Sequence, residues 1–343
     1  MHRIQILCIL FIGLIVSSCD KSNNPVSNQD AVAPGRRDYV WTVDTIREPY
    51  NSFVDITGTS PQDLWTANPG DARKIFYHYD GSKWQTDLVF RSFAAKSIYS
   101  LSPNDVWSSG EEGRIWHFDG STWKEVYKHS VGAITDIVFE DIYAIASNDI
   151  YAAGQYFDGL DFWGIIVHYD GHSWKQIAIP QIRTAFITIR KISNGKLYLL
   201  GVTNELTKES TYQLYEFDGV QLKLIKSGTQ AKNQMGGIIN ISSKVYFIIG
   251  FDFYDYNDGT FVRLGNLSDS NTFLNVAFGT SSKNIFLGMR DGIAHYNGEN
   301  TEYLFKTQDN IYVRTGIAFE KDVFFVGMDM KGNNLIIHGK LVN

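Results

Sequence analysis

Cysteine is nearly missing from this sequence: Cys8 and Cys19 are the only two in 343 residues. A disulfide-stapled scaffold is thereby excluded, so the stability of the chain must come from packed core. Runs of lysine and arginine are missing as well. The formal net charge is −6, with acidic and basic residues mixed along the chain, which argues against a phosphate-neutralising surface and against nucleic acid as a partner. No HExxH zinc motif, phosphate loop or GxSxG nucleophile motif occurs, so no common catalytic signature assigns an activity. What is present is 44% hydrophobic, 14% aromatic and 20% charged. That composition can bury a sizeable core, and nothing in it suggests disorder.

The N-terminus, MHRIQILCILFIGLIVSSC, carries a positive Arg3, an apolar stretch from Ile4 to Val16, and then small residues. It reads as a signal peptide, too short and wrongly flanked for a spanning helix. Its end, Val16-Ser17-Ser18-Cys19, resembles the lipobox of bacterial lipoproteins. The resemblance implies a leader over residues 1–18, cleavage before Cys19, and lipid attachment at Cys19. Cys8 would leave with the leader, and the mature chain would hold 30 basic and 37 acidic residues, a net −7. Residues 20 to 40, DKSNNPVSNQDAVAPGRRDYV, are polar almost to their end and read as a tether. The expected organisation is a lipidated tether over 19–38 and a globular body over 39–343. The expected location is the cell envelope, on a bacterial membrane, with the outer membrane favoured and its face open.

The body repeats one hairpin. IFYHYDGSKWQTD, IWHFDGSTWKEV and IIVHYDGHSWKQI are followed by the fainter LYEFDGVQLKLI, FYDYNDGTFVRL, IAHYNGENTEYL and IIHGKL. The turns fall at Asp80, Asp119, Asp170, Asp218, Asp258, Asn297 and His338, at intervals of 39, 51, 48, 40, 39 and 41 residues. Each unit also carries an apolar strand, a polar turn such as SPND (102 to 105), and an aromatic-bearing strand such as Val106-Trp107. Repeats of this length with four short strands predict an all-β, seven-bladed β-propeller of four-stranded antiparallel blades.

The seventh unit stops after LIIHGKLVN without a fourth strand, while YVWTVDTI, residues 39 to 46, stands alone near the start. Trp41 matches Trp84, Trp123 and Trp174 in the repeat. The spacing therefore predicts that the N-terminal strand completes the last blade and removes an exposed edge. The Asp-Gly turns have either two residues or three with a bulge. The two-residue register sets Trp116 opposite Trp123 and Tyr77 opposite Trp84.

Few residues suggest chemistry. His78, His117, His168, His295 and His338 occupy equivalent places in different blades, too far apart for a zinc site with bonds of about 2 Å. No metal and no cofactor is implied, and the Trp and Tyr series reads as inter-blade packing. DGSTW resembles part of the Asp-box, S-x-D-x-G-x-T-W, of sialidase-type propellers, although Asp119 and Gly120 are adjacent here. SPNDVWSSGEEGRIWHFDGSTW resembles repeats of exported bacterial propellers, a likeness that implies the fold and no particular activity. Arg73, Arg114 and Arg290 fall in loops able to share one face, but the F/Y-R-I-P motif of sialidases is missing and no catalytic residue is assigned.

Two loops between second and third strands are expanded, QYFDGLDFWG (155 to 164) and VTNELTKEST (202 to 211). They share a face with the blade-to-blade connections, opposite the Asp-Gly hairpins. Tyr156, Phe157, Asp158, Asp161, Phe162 and Trp163 put exposed aromatics beside carboxylates, which suits a sugar or a protein hot spot. The same aromatics could instead fold against their own propeller. The first functional expectation is thus a non-enzymatic, lipid-anchored binding or scaffold module, monomeric, for a glycan, a peptide or an envelope protein. The alternative is a glycan-active hydrolase or lyase in the axial funnel, drawing on Glu111, Glu112, Asp158, Asp161 and Asp291, with nothing to select a pair. An envelope-assembly role rests on analogy with other propeller lipoproteins.

Overall fold

The computed structural model describes residues 33–47, 52–192, 195–203, 210–229, 236–241, 244–257, 259–268, 272–307 and 309–342. The leader, Cys19 and the tether up to residue 32 lie outside the described residues, as do Asp258 and residues 204–209 of the blade-4 loop.

Among the described residues, strands form seven four-stranded antiparallel sheets, the predicted propeller. The chain opens with β1 (Tyr39–Ile46) and then builds blade 1 from β2 (Asp55–Ser60), β3 (Asp63–Ala67), β4 (Phe76–Tyr79) and β5 (Trp84–Thr86). Blade 2 holds β6 (Ala95–Ser102), β7 (Asp105–Gly110), β8 (Arg114–Phe118) and β9 (Trp123–Lys128). Blade 3 holds β10 (Ile137–Ala146), β11 (Asp149–Phe157), β12 (Phe162–Tyr169) and β13 (Trp174–Gln176). Blade 4 holds β14 (Ala185–Lys191), β15 (Leu197–Thr203), β16 (Thr211–Phe217) and β17 (Leu222–Thr229). Blade 5 holds β18 (Gly236–Ile241), β19 (Lys244–Ile249), β20 (Asp252–Asn257) and β21 (Thr260–Asn266). Blade 6 holds β22 (Phe273–Ser281), β23 (Asn284–Met289), β24 (Gly292–Tyr296) and β25 (Thr301–Lys306). Blade 7 holds β26 (Ile311–Ala318), β27 (Asp322–Asp329) and β28 (Asn334–Leu341), with β1 as its fourth strand.

Sequence pattern follows position in the blade. Second strands lie between two neighbouring sheets, so β3 buries Leu64, Trp65, Thr66 and Ala67 in succession. Outer strands face solvent, and in β9 only Trp123 is buried. That indole crosses to the preceding blade, stacking on Phe76 with ring centres 3.7 Å apart and meeting Trp65 edge-on at 5.6 Å. Trp174 stacks likewise on Tyr127 of blade 2 at 5.3 Å. Aromatic pairs of this kind add about 0.5–1.5 kcal/mol beyond burial, which is why a ring is spelled at the same place in each repeat.

The turns correct one expectation. Phe118, not Trp116, lies opposite Trp123, and Tyr79, not Tyr77, lies opposite Trp84. The reason is the aspartate side chain. Asp119 Oδ1 accepts the backbone N–H of Ser121 and Thr122 at 3.0 Å each, and Asp119 N donates to Thr122 O. The turn is therefore centred on Gly120-Ser121, with Gly120 at φ +88° as the first central residue of such a turn requires. Pairing slides by two residues relative to an Asp-Gly centre, which leaves each side chain on its expected face. At Asp80 the equivalent bonds, from the Ser82 hydroxyl and the Lys83 and Ser82 N–H groups, pull the carboxyl down to about 2.

Closure is as expected. β1 pairs with β28 along eight residues, Tyr39 opposite Leu341 through Ile46 opposite Asn334. Trp41 faces Gly339, the place where Trp84 faces Tyr79 in blade 1. A Cβ on Gly339 would stand 2.7 Å from the Trp41 ring, so glycine makes room for the indole. Trp41 then packs on Phe305 of blade 6 at 5.6 Å.

Alternating strand direction gives the propeller two unlike faces. The first-to-second and third-to-fourth turns share one: a Cβ on Gly120 would lie 2.8 Å from Asn104, and one on Gly81 would lie 3.1 Å from Gln62. The second-to-third loops and the blade connections share the other. Pro69, Gly70 and Ala72 there line one depression together with Phe90, Ser92 and Phe93. β1 starts at the Asp-Gly face, where Gly35 N donates to Lys283 O in a turn of blade 6.

Candidate functional site

The repeated histidines are structural. His78, His117, His168 and His338 bring Nε2 within 2.7–2.9 Å of Asp63, Asp105, Asp149 and Asp322, each at the head of its own second strand. Each ring also stacks on the aromatic of that strand, Trp65, Trp107, Tyr151 or Phe324. Blades 4 and 5 reverse the charges at the same places, with Lys196 paired to Glu216 at 3.0 Å and Lys244 paired to Asp255. In blade 6 the partner of His295 is neutral, Asn284, at 2.7 Å. Burial there, with the Arg37 guanidinium beside the ring, pushes the His295 imidazole down to about 4. Among the described residues no group of three or more His, Cys, Asp or Glu is placed to hold a metal ion.

The blade-3 segment is an extension of the β11–β12 hairpin rather than an open loop. Tyr156 pairs with Trp163 and Phe157 with Phe162, and the ring centres of Phe157 and Phe162 are 4.8 Å apart. Asp158 caps the turn through the N–H groups of Leu160 and Asp161, and its Oδ2 accepts the Trp163 indole N–H at 2.7 Å. These bonds, the Asp161 N–H foremost, hold the Asp158 carboxyl below the usual carboxylate range. Asp161 pairs with Arg183 at 2.6 Å, and the Arg183 guanidinium lies 5.6 Å over the Trp163 ring. Five of the six expected contact residues are thus tied to one another or to Arg183, Tyr156 being the sixth. Leu160 and Phe162 remain outward, at 87% and 52% exposure. Of the blade-4 segment, Val202, Thr203, Ser210 and Thr211 are described and the middle lies outside the described residues.

A second display on the same face was not read from the sequence. Leu88, Val89 and Phe90, in the connection between blades 1 and 2, are 54%, 51% and 62% exposed. The segment is built rather than loose. Arg91 is buried, its guanidinium within 6 Å of the Phe76 and Trp116 rings. It pairs with Asp87 and donates to Val89 O at 3.1 Å, while Arg91 N donates to Ala72 O and Val89 N to Asp87 Oδ1. Leu88 is held at φ +56°, a left-handed conformation that costs a leucine about 1–2 kcal/mol. Leu88, Val89 and Phe90 thus stand as three consecutive exposed apolar side chains on a braced segment.

The axis of the propeller is a channel of about 500 Å³, walled mainly by the first strands. Asp55, Ser97, Asp141 and Arg190 of blades 1 to 4 line it together with Asn240, Asn275 and Arg314 of blades 5 to 7. Ser97 Oγ lies 2.7 Å from Asp55 Oδ2 and 3.2 Å from Asp141 Oδ1. Asp55 also accepts the N–H of Ile98 at 3.1 Å, and Asp141 that of Ile189 at 2.8 Å. Each aspartate thereby satisfies the inner edge of a following blade, an edge that β-pairing leaves open. Arg190 pairs with Asp141 and lies 5.3 Å over the Tyr143 ring. Burial pushes the Asp55 carboxyl up to about 6, opposed by the Ser97 hydroxyl and reinforced by the charge of Asp141.

The five carboxylates expected for an axial site lie elsewhere. Glu111, Glu112, Asp158, Asp161 and Asp291 belong to second-to-third loops at the rim, whereas the axial wall comes mainly from first strands. Glu111 pairs with Lys96 and Glu112 with Arg114 and Lys128, while Asp291 accepts the Tyr303 hydroxyl at 2.7 Å. Arg73, Arg114 and Arg290 do share the loop-bearing face, in blades 1, 2 and 6, but Arg114 is already paired with Glu112 and Glu125.

No protein-family model matches the sequence, and no curated protein matches it. Solved structures share the fold. YCF48 bound to D1 peptide is similar at a TM-score of 0.61 and 13% identity, over 91% of this chain and 100% of that one. A catalytically inactive virginiamycin B lyase from Staphylococcus aureus with quinupristin is similar at 0.65 and 12%, over 89% of this chain and 100% of that one. BamB from Moraxella catarrhalis is similar at 0.51 and 11%, over 92% and 97%. At these identities the likeness is one of fold.

Proposed function

We propose that the chain is a lipid-anchored binding module of the bacterial envelope whose loop-bearing face engages a protein or peptide. The observation that carries this reading is the strained, braced display of Leu88, Val89 and Phe90. Leu160, Phe162 and Met330 add exposed apolar side chains to loops of the same face. Most of these are aliphatic and offer no ring to a sugar, so they suit a protein surface better than a glycan. The chain enters the propeller at the Asp-Gly face. A peptide-bound propeller among the similar structures is consistent with the reading, at the level of fold.

The test is capture of envelope proteins by the full chain and by two variants. Leu88→Ser, Val89→Ser and Phe90→Ser together, and Tyr156→Ala, Phe157→Ala, Phe162→Ala and Trp163→Ala together, should each lose a defined partner while melting as native. Undiminished capture by both variants rejects the face. One observation favours a second reading, a glycan-active hydrolase or lyase: Asp55 and Asp141 share the Ser97 hydroxyl in the axial channel. Asp141, however, is already paired with Arg190. Turnover of a glycan that disappears in Asp55→Asn would establish that reading.

A further inference from the structure

Most arginines of the chain are paired. Those from Arg36 to Arg263 that form an ion pair each meet an aspartate or glutamate. Among the described residues Arg47, Arg73, Arg290 and Arg314 are exposed and have no carboxylate partner. They are not scattered. Arg73 and Arg290 sit in the second-to-third loops of blades 1 and 6. Arg47 follows β1, whose last residue, Ile46, lies opposite Asn334 at the loop-bearing end of blade 7. Arg314 is the extra residue of a bulge in β26, between Val313 and Thr315, and lines the axial channel near the start of that strand. Bulges re-aim side chains, and this one turns a guanidinium to the channel mouth. Blade 7 joins blade 6 through Trp41 on Phe305 and blade 1 through the Phe53 N–H on Asn334 Oδ1 at 2.9 Å. The four arginines therefore share one arc of the loop-bearing face.

Arg290 and Arg314 lie closest together in that arc. Arg290 O accepts the Ile311 N–H at 2.8 Å, which sets Arg290 against the start of β26. Arg314 is three residues further on, about 10 Å along a strand. Its guanidinium lies 4.9 Å over the ring of Tyr312, between the two. The carboxylates of the arc reduce its charge without pairing a guanidinium. Asp329 accepts the N–H groups of Lys331 and Asn333, Asp291 the Tyr303 hydroxyl, and Asp71 the Arg73 backbone N–H. Asp309 is exposed and forms no ion pair. On blades 2 and 3 the same face is different, because Lys96, Arg114 and Arg183 are all taken by Glu111, Glu112 and Asp161.

We infer that the arc of blades 6, 7 and 1 receives a short acidic segment of the protein partner, with carboxylates on Arg290 and Arg314 and apolar side chains beside Tyr312 and Met330. The inference rests on the reading that the loop-bearing face engages a protein. Planar guanidinium groups match carboxylates through paired N–H donors. Tyr312 and Met330 are 51% and 76% exposed, so the cations have apolar neighbours to offer. A long polyanion suits the face poorly, since the chain is net −6 and Glu111, Glu112, Asp158 and Asp161 stand on its other half. A few carboxylates on an otherwise neutral partner meet the arc alone.

The full chain in neutral detergent micelles is titrated calorimetrically with a capped peptide of four glutamates around one leucine, with its glutamine counterpart, and with tripolyphosphate. The glutamate peptide should bind below millimolar concentration and at least tenfold more tightly than the other two. Its affinity should fall about tenfold from about 50 to about 300 mM salt, as screening shortens the reach of the arc. Arg290→Glu with Arg314→Glu should weaken it about tenfold or more. Lys223→Glu with Lys226→Glu makes the same change in net charge on the exposed outer strand of blade 4 and should weaken it less than about twofold. Should the arginine-to-glutamate pair fail to fold, Arg290→Gln with Arg314→Gln repeats the measurement. Equal binding of the glutamate and glutamine peptides, equal loss in the two charge-reversed variants, or tighter binding of tripolyphosphate overturns the inference. Capture of envelope proteins separates it from the reading beneath it. Capture undiminished by the Leu88, Val89 and Phe90 serine variant and by the blade-3 alanine variant rejects the face. Capture lost in those variants, with a salt dependence that Arg290→Glu and Arg314→Glu leave unchanged, rejects the arc alone.

Discussion

Replacing Leu88 by glycine separates a recognition residue from a packing residue. Leu88 sits at φ +56° and is more than half exposed. Glycine relieves about 1–2 kcal/mol of left-handed strain and gives back roughly 0.5–1 kcal/mol through the greater freedom of the unfolded chain. Loss of the part of the side chain that is covered subtracts about 1 kcal/mol more. The expected change in unfolding free energy is therefore within about 1 kcal/mol of zero, whereas truncating a buried leucine costs about 2–5 kcal/mol. Urea unfolding of the two proteins, followed by tryptophan fluorescence, measures the difference. Capture of the partner should fall about fivefold or more, the loss expected for an interface side chain contributing about 1 kcal/mol. A destabilisation above 2 kcal/mol would show that Leu88 is held in place for packing, and the argument from strain to recognition would fail.

Deleting residues 36 to 46 removes the strand paired along β28, so the deletion variant should aggregate or unfold; a melting curve like that of the intact chain would argue against closure. Trp123→Ala should cost about 3–5 kcal/mol, because the indole is buried between Phe76 and Trp65; a loss under 1 kcal/mol in urea would refute its place as the inter-blade ring. The reversed pairs of blades 4 and 5 predict that Asp63→Lys and His78→Glu each destabilise blade 1 while the double variant recovers about 0.5–1 kcal/mol in a double-mutant cycle. The raised carboxyl of Asp55 makes the folded state bind its proton more tightly than the unfolded state does. Its contribution to stability therefore falls as pH rises from about 4 to about 6 and is flat above. Asp55→Asn should lack that component when melts are compared across the same range, and parallel curves would contradict the assignment.

The blades were legible because their outer hairpins are nearly spelled out, and closure was legible because Trp41 had no hairpin of its own. The turn register was not. Asp-Gly reads as a turn centre, but the carboxylate of Asp119 reaches forward over two N–H groups and moves the centre to Gly120-Ser121. The blade-3 aromatics were singled out with two readings open, display or folding onto their own propeller, and Trp163 is taken up by Asp158 and Arg183. Leu88, Val89 and Phe90 escaped because an apolar run looks like core until its exposure is known; the buried Arg91 that braces them gives no sequence signal. The channel did leave a trace. Asp55-Ile56-Thr57, Ser97-Ile98-Tyr99, Asp141-Ile142-Tyr143 and Thr188-Ile189-Arg190 recur near the repeat interval, each with a polar residue before isoleucine. Aligning first strands rather than hairpins would have exposed it.

The orientation of the propeller toward its partner is tested most directly by hydrogen–deuterium exchange of the full chain with and without a captured envelope protein. Protection should fall on residues 87 to 94 and on the tip of the β11–β12 hairpin, with the Asp-Gly turns at Asp80, Asp119 and Asp170 unchanged. Protection confined to those turns would place the partner on the opposite face and contradict the account.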